Sequence, residues 1–151
     1  MSKGFLLVIS GPSGCGKGTV SKGLLERNKD IVFSVSATTR KKRIGEEEGK
    51  NYFFTELDEF KTMIENDKFL EYAKVHNNMY GTPRDFVVNE IEKGEIVLLE
   101  IDVQGAMQVK KNYKNVVFVF LLPPTMDELK NRIIKRGTET EEDIERRFKN
   151  A

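Results

Sequence analysis

Residues 11–17 have the sequence GPSGCGK and follow directly on a short apolar run at 5–10. The pattern G-x-x-x-x-G-K between a strand and a helix is typical of a phosphate-binding loop. Its glycines bring backbone N–H groups close to phosphate oxygens, and its lysine reaches the β- and γ-phosphates. The pattern predicts a nucleoside triphosphate site, with a plain glycine-rich turn as the alternative. The residues assigned to this site are Gly11, Pro12, Ser13, Gly14, Cys15, Gly16, Lys17, Gly18 and Thr19.

The position after the lysine departs from the usual pattern, because Gly18 stands where a serine or threonine hydroxyl would contact Mg²⁺. Thr19, the next residue, offers a hydroxyl instead, and water is the alternative ligand. The sequence therefore predicts a triphosphate bound together with Mg²⁺.

Two acidic residues, Glu100 and Asp102, end the apolar run at 95–102. In a strand, residues two apart project on the same side. The carboxyl ends of parallel strands border the ligand crevice of an α/β sheet. We expect both carboxylates at that crevice, with a purely structural pair as the alternative.

Apolar runs of strand length at 5–10, 95–102 and 115–124, with a weaker one at 33–39, predict a parallel sheet buried on both faces. Helix signals lie between these runs. One helix is expected after the glycine loop, with Val20, Leu24 and Leu25 on its apolar face. A second is expected to begin at Thr82-Pro83 and to end at Gly94, with Phe86, Val87 and Ile91 as its apolar face. This alternation predicts a three-layer α/β core.

Residues 40–80 interrupt the alternation. A polar, glycine-bounded stretch is followed by a short strand at 52–55, a short helix and a hairpin near Asn77-Asn78, whose neighbour His76 has no evident partner. We interpret this part as a small α+β insertion between core strands.

Composition narrows the function classes. The chain has 151 residues, 38% hydrophobic, with a formal net charge of +1 and one cysteine. These numbers predict one globular domain and offer no internal disulfide, no Cys/His zinc site and no basic bias toward nucleic acid. No apolar run approaches the ~20 residues that span a membrane. We expect a cytoplasmic protein.

Several segments resemble guanylate kinase, in order and at matching spacing: 36–46, 49–54, 69–73, 80–83, 99–105 and 136–140. The resemblance implies transfer of a phosphoryl group from MgATP to GMP or dGMP in purine nucleotide metabolism. It also implies a P-loop NTPase-type core (1–35 and 83–130), a GMP-binding insertion (about 36–82) and a lid (about 131–151). The family's pattern continues with a further strand and helix, which these 151 residues lack.

The resemblance also implies roles for individual residues. Arg40, Arg43, Tyr52 and Tyr80 correspond to the family's ligands of the GMP phosphate, although RKKR at 40–43 alone would suggest a solvated basic turn. Glu71 corresponds to the carboxylate that accepts the two guanine donors. The full set implied for GMP is Ser36, Arg40, Arg43, Tyr52, Glu71, Tyr80, Gly81, Thr82, Glu100 and Asp102.

Catalysis would rest on cations that meet the charge of the transferred phosphoryl group. The resemblance assigns this role to Lys17, Arg43, Arg132, Arg136 and Arg147, and it assigns Mg²⁺ to Thr19 and Asp102, directly or through water. Three alternatives stay open: a kinase for another nucleoside monophosphate, a guanylate-kinase-like binding module without turnover, and an inactive fragment. No nucleic acid, membrane or protein partner is implied.

Overall fold

The computed structural model describes residues 3–12, 14–123 and 127. Within them, the chain forms eight strands and four helices. The strands are β1 (Phe5–Ser10), β2 (Ile31–Phe33), β3 (Ala37–Thr38), β4 (Phe53–Phe54), β5 (Phe69–Val75), β6 (Asn78–Pro83), β7 (Ile96–Glu100) and β8 (Val116–Phe120). The helices are α1 (Lys17–Arg27), α2 (Leu57–Glu65), α3 (Arg84–Glu92) and α4 (Val103–Asn112).

Four strands form a parallel sheet in the order β2-β7-β1-β8. Strand β1 lies between two strands that come much later in the sequence, so their carboxyl ends surround the glycine loop that follows β1. This confirms the predicted α/β fold with a parallel sheet and explains how residues far apart in sequence meet at one edge.

The two faces of this sheet pack against different helices. On one face, Leu6 and Val8 of β1 and Leu99 of β7 form a buried cluster with Val87 of α3 and Val109 of α4. Because side chains alternate along a strand, the neighbouring residues Ile9 and Leu98 point to the other face, where α1 contacts β1, β2 and β7. Helices on both faces give the predicted three layers.

The second sheet contains the residues of the predicted insertion, in the order β4-β3-β6-β5. Strands β5 and β6 form the predicted hairpin, whose exposed turn contains His76 with φ 56°. Side chains of α4 bind the free edge of β5. Gln108 accepts a hydrogen bond from Tyr72 N and donates one to Tyr72 O, both at 3.1 Å, and Asn112 donates to Leu70 O at 3.1 Å.

Several expectations about local structure are wrong, and the first two concern β2 and α1. The run at 33–39 is not one strand, because it divides into the end of β2 in the first sheet and β3 in the second. Val20 does not lie on a buried face of α1; it is 38% exposed, and Ser21 is the buried residue of that helix.

The third wrong expectation is that Thr82 caps α3. Pro83 holds the N-cap position, no side chain caps the helix, and the Thr82 hydroxyl bonds elsewhere. The end of α3 at Gly94 is confirmed, since Gly94 has φ 92° and donates to Ile91 O at 2.9 Å. No helix in the described part of the chain is long and apolar enough to cross a membrane.

Candidate active site

The predicted phosphate-binding loop lies between β1 and α1. Gly11, Gly14 and Gly16 have φ of 147°, 83° and 93°, which residues with a Cβ rarely adopt. A Cβ on Gly11 would lie 2.5 Å from Leu121 O and 2.9 Å from Cys15 Sγ, so the loop is packed closely against the end of β8. Cys15 is buried, and its N–H donates to Pro12 O at 3.2 Å.

Helix α1 presents its N-terminus to this loop without a side-chain cap in the part of the chain that the structure describes. The first turn carries no acidic residue, so its partial positive charge stays available to an anion. Lys17 Nζ donates to Gly11 O at 2.6 Å, which folds the ammonium back over the loop. Gly18 and Thr19 lie exposed in the same turn.

Glu71 and Thr82 form a polar pair in the second sheet, on the neighbouring strands β5 and β6. Thr82 is fully buried, and its hydroxyl donates to Glu71 Oε1 at 2.7 Å. Burial raises the pKa of the Glu71 carboxyl above its ordinary value of 4.5, the Thr82 hydrogen bond partly opposes this, and the charge of Asp102 raises the pKa further. Because the charged form of this carboxylate is disfavoured, further hydrogen-bond donors would stabilise it.

Asp102 and Glu71 approach each other at the start of α4. A Cβ on Gly105 would lie 3.2 Å from Asp102 Oδ1 and 3.3 Å from Glu71 Oε2, so a glycine there lets both carboxylates come close to the helix. Asp102 Oδ1 accepts a hydrogen bond from Gly105 N at 2.7 Å and thereby caps α4. The expectation that Asp102 continues the strand after Glu100 is therefore wrong, because β7 ends at Glu100.

Glu100 lies on the α1 side of the sheet. Its Oε1 is 3.9 Å from the position that a Cβ on Gly18 would take. It also lines a cavity of about 420 Å³ together with Ser21, Lys22 and Phe33. The carboxylate thus borders the first turn of α1.

The predicted phosphate ligands of the insertion lie together. The Arg40 guanidinium is 5.2 Å from the centroid of the Tyr52 ring, and that ring is 6.1 Å from the Tyr80 ring. Arg40 forms a bidentate ion pair with Glu46 at 2.9 and 2.8 Å, and Arg43 N donates to Glu46 Oε1 at 2.8 Å. Ser36 lies just before β3, and its carbonyl accepts a hydrogen bond from Phe53 N at 2.9 Å.

Gly81 has a packing role in addition to its place beside Thr82. A Cβ there would lie 2.7 Å from the ring of Phe69, which is itself 3% exposed, and 3.2 Å from Glu71 O. The glycine lets β5 and β6 pair closely next to the Glu71 carboxylate.

Substituting Gly81 with alanine should destabilise the fold by about 1–3 kcal/mol, because the buried Phe69 ring must move. Gly23→Ala is a matched control: a Cβ there has no neighbour within 4 Å, and alanine favours the helix by about 0.5–1 kcal/mol. Urea unfolding of the two variants should therefore give shifts of opposite sign. A Gly81→Ala midpoint at or above that of the wild type would contradict the packing role.

Several predicted site residues lie outside the described part of the chain. They are Ser13 of the glycine loop and Arg132, Arg136 and Arg147, together with the lid predicted at about 131–151.

Three contacting residues were not predicted from the sequence. Glu46 was grouped with a polar turn, Gly105 appeared only as part of a matching segment, and Gln108 carried no signal of its own. Glu46 could have been noticed, because it follows Gly45 and is the first of the three glutamates at 46–48, three residues after Arg43, where a tight turn would bring it back to the arginines.

The chemistry of two oxygen-bearing side chains suits a magnesium ion that arrives with its nucleotide. Within the described residues, no three His, Cys, Asp or Glu side chains form a group that could hold a metal. Mg²⁺ usually keeps several waters and binds through phosphates and one or two protein oxygens. The exposed Thr19 hydroxyl and the Asp102 oxygen that does not cap α4 can supply such ligands.

Comparison with known proteins shows which family combines such a glycine loop with such an insertion. A sequence model of the family "Guanylate kinase" matches residues 3–151. The chain is 59% identical over 149 residues to the guanylate kinase of Caldanaerobacter subterraneus subsp. tengcongensis and 61% identical over 151 residues to that of Clostridium tetani. It covers 72% of the length of each, and they cover 99% and 100% of this chain.

The fold agrees with the same assignment. The crystal structure of guanylate kinase from Anaplasma phagocytophilum superposes with a TM-score of 0.67 at 43% identity, over 89% of this chain and 68% of that one. This chain belongs to the guanylate kinase family.

Proposed function

We propose that this protein transfers the γ-phosphoryl group of ATP to GMP, giving ADP and GDP. The observation that carries the proposal is the half-buried Glu71 carboxylate, which accepts a hydrogen bond from the buried Thr82 hydroxyl on the same sheet. The Arg40–Tyr52 cluster that suits a phosphate lies on the same sheet, while a triphosphate-binding loop follows the central strand of the other.

Guanine is the base that suits Glu71. It presents N1–H and an exocyclic amine as adjacent donors, and a carboxylate accepts both. Adenine carries an acceptor at N1, so the Glu71 oxygen that faces it would meet a lone pair and not a donor, at a cost of about 1–3 kcal/mol. The Ser36 and Thr82 hydroxyls are further candidates for contacts with the base.

Phosphoryl transfer needs positioning and positive charge more than a strong base. In the proposal, Lys17 and the N–H groups of the glycine loop hold the β- and γ-phosphates of ATP. Arg40 and Arg43, with the hydroxyls of Tyr52 and Tyr80, hold the GMP phosphate as acceptor. Bound Mg²⁺ would neutralise charge on the ATP phosphates.

The proposal assigns residues 36–82 to the GMP-binding part of the chain and about 131–151 to a lid. Arg132, Arg136 and Arg147 would bring positive charge to the transferred group. It extends to dGMP, since base and phosphate contacts account for recognition and no residue is assigned to the 2′-hydroxyl. The cellular setting proposed is purine nucleotide metabolism in the cytoplasm.

A coupled assay of ADP release tests the proposal, with MgATP and GMP, dGMP, AMP, UMP or CMP as acceptor. We expect turnover with GMP and dGMP and at least about 100-fold lower kcat/KM with the other acceptors. Equal turnover with AMP or UMP would contradict guanine recognition. Binding of GMP and ATP without ADP release would favour a binding module in place of a kinase.

The affinity for GMP should depend on pH through Glu71. The guanine donors bind the ionised carboxylate, whereas burial raises the pKa of Glu71 in the free protein. Binding therefore releases a proton at acidic pH, and the dissociation constant should rise as the pH is lowered below that raised pKa. Calorimetry between pH 5 and 8 measures this.

The GMP phosphate also titrates in this range, so the pH profile of Glu71→Gln serves as the reference. The wild type should lose affinity more steeply than Glu71→Gln on acidification. Parallel profiles for the two proteins would show that Glu71 does not lose a proton when GMP binds.

A further inference from the structure

Glu46 makes more contacts with the phosphate-binding arginines than any role in a polar turn requires. Its two carboxylate oxygens accept from Arg40 Nη1 at 2.9 Å and Nη2 at 2.8 Å, and Oε1 also accepts from Arg43 N at 2.8 Å. The side chains of Arg40 and Glu46 are only 13% and 18% exposed. One carboxylate thus fixes the side chain of the first arginine and the backbone of the second.

The turn around Glu46 is built to bring it there. Glu46 N donates to Arg43 O at 3.1 Å, and Gly45 takes φ 89° at the third position of the turn. This conformation favours glycine and returns the chain toward Arg40. Hydrogen bonds from Arg40, and secondarily from Arg43 N, lower the pKa of Glu46 to about 2, so it is ionised at neutral pH.

Glu46 does not use all the N–H donors of the Arg40 guanidinium, so some of them can bind a further acceptor. Glu46 occupies the fork formed by the two Nη groups, and Nη1 also donates to Lys41 O at 3.0 Å. Among the residues that the structure describes, no carbonyl or carboxylate accepts from Nε–H or from the remaining Nη2–H. These two donors form a second fork of the kind that binds phosphate bidentately. The Tyr80 hydroxyl, itself a proposed ligand of the phosphate, also interacts with the Arg40 guanidinium.

We propose that Glu46 is a positioning residue for the monophosphate acceptor: it clamps one fork of Arg40 and the backbone of Arg43, so that the other fork of Arg40 meets the phosphate. The inference rests on the proposed binding of GMP to this site. It also distinguishes two roles with opposite consequences. A carboxylate that competed with phosphate for the same fork would weaken GMP binding, whereas a positioning carboxylate strengthens it.

Isothermal titration with GMP and with guanosine separates these roles. In Glu46→Gln an amide group replaces one acceptor and faces a guanidinium donor, so the bidentate pair is lost. We expect the Kd for GMP to rise by about tenfold. The Kd for guanosine, which lacks the phosphate, should stay within about twofold of the wild type. Glu47→Gln is the matched control, because the Glu47 side chain is 66% exposed and, within the described part of the chain, forms an ion pair only with Lys50, at 3.5 Å.

A double-mutant cycle measures the coupling between Glu46 and Arg40 in GMP affinity, which would be absent if Glu46 had only a structural role. If Glu46 acts through Arg40, Glu46→Gln should cost much less in GMP affinity in an Arg40→Ala background than in the wild type. Unchanged or tighter GMP binding by Glu46→Gln would overturn the positioning role, and so would an equal loss of guanosine binding. A wild-type protein that binds neither ligand would instead refute the proposed function, so the two failures are distinguishable.

Discussion

Lys17→Ala should reduce the turnover of ATP and GMP by roughly 10²–10³-fold, because it removes the cation that we propose contacts the transferred phosphate. Lys17 Nζ donates to Gly11 O, 2.6 Å away, and so lies directly over the loop that would hold the β- and γ-phosphates. We expect a large rise in the Kd for MgATP. The Kd for GMP should change little, since the residues proposed for GMP lie on the second sheet and its loops.

Lys22→Ala is the control for this experiment. Lys22 lies on the same helix, its side chain is 79% exposed, and its pairing with Glu26 at 4.0 Å is weak. It removes one positive charge from α1 without touching the glycine loop. Equal affinity of the wild type and Lys17→Ala for MgATP would show that the loop does not bind ATP through this lysine.

Glu71→Gln should have opposite effects on GMP binding and on stability. An amide places a donor against a guanine donor, so we expect GMP affinity to fall by about 1–3 kcal/mol. The ligand-free protein should gain stability at pH 7, because the variant no longer buries a carboxylate whose charge is disfavoured there. The amide oxygen can still accept from Thr82.

The sign of the pH effect follows from linkage. The folded protein holds the Glu71 proton more tightly than the unfolded chain, so stability due to this group is complete below the ordinary pKa of 4.5 and falls as pH rises through the raised pKa. Glu71→Gln lacks this pH-dependent contribution to stability. Thermal unfolding at several pH values should therefore show that the stability of the variant relative to the wild type increases as the pH rises. A variant that is less stable at every pH would indicate a structural role for the carboxylate.

The sequence allowed the fold class and the glycine loop to be predicted because both depend on local patterns. Apolar runs of strand length and the glycine–lysine spacing need no knowledge of distant contacts. The Glu71–Thr82 hydrogen bond is different, since it joins residues on two strands of a hairpin. The resemblance to guanylate kinase drew attention to both residues, and only the structure gives their direct bond.

Other features could not be predicted because they depend on how elements pack. Thr82 looked like a helix cap, but it lies in β6 directly opposite Glu71 of β5, and Pro83 takes the N-cap position. Its hydroxyl therefore donates to the Glu71 carboxylate. Gly105 is important only because α4 begins beside Glu71 and Asp102. Gln108 binds the edge of β5, a contact that can be predicted only when the position of α4 relative to the second sheet is known.

The central claim is that Glu71 accepts the two donors of guanine, and calorimetric titration with GMP and inosine monophosphate tests it most directly. Inosine monophosphate differs from GMP only in lacking the exocyclic amine. We predict that the wild type binds GMP at least about tenfold more tightly than inosine monophosphate, and that this preference largely disappears in Glu71→Gln. Equal affinity of the wild type for the two nucleotides, or an undiminished preference in the variant, would contradict the account.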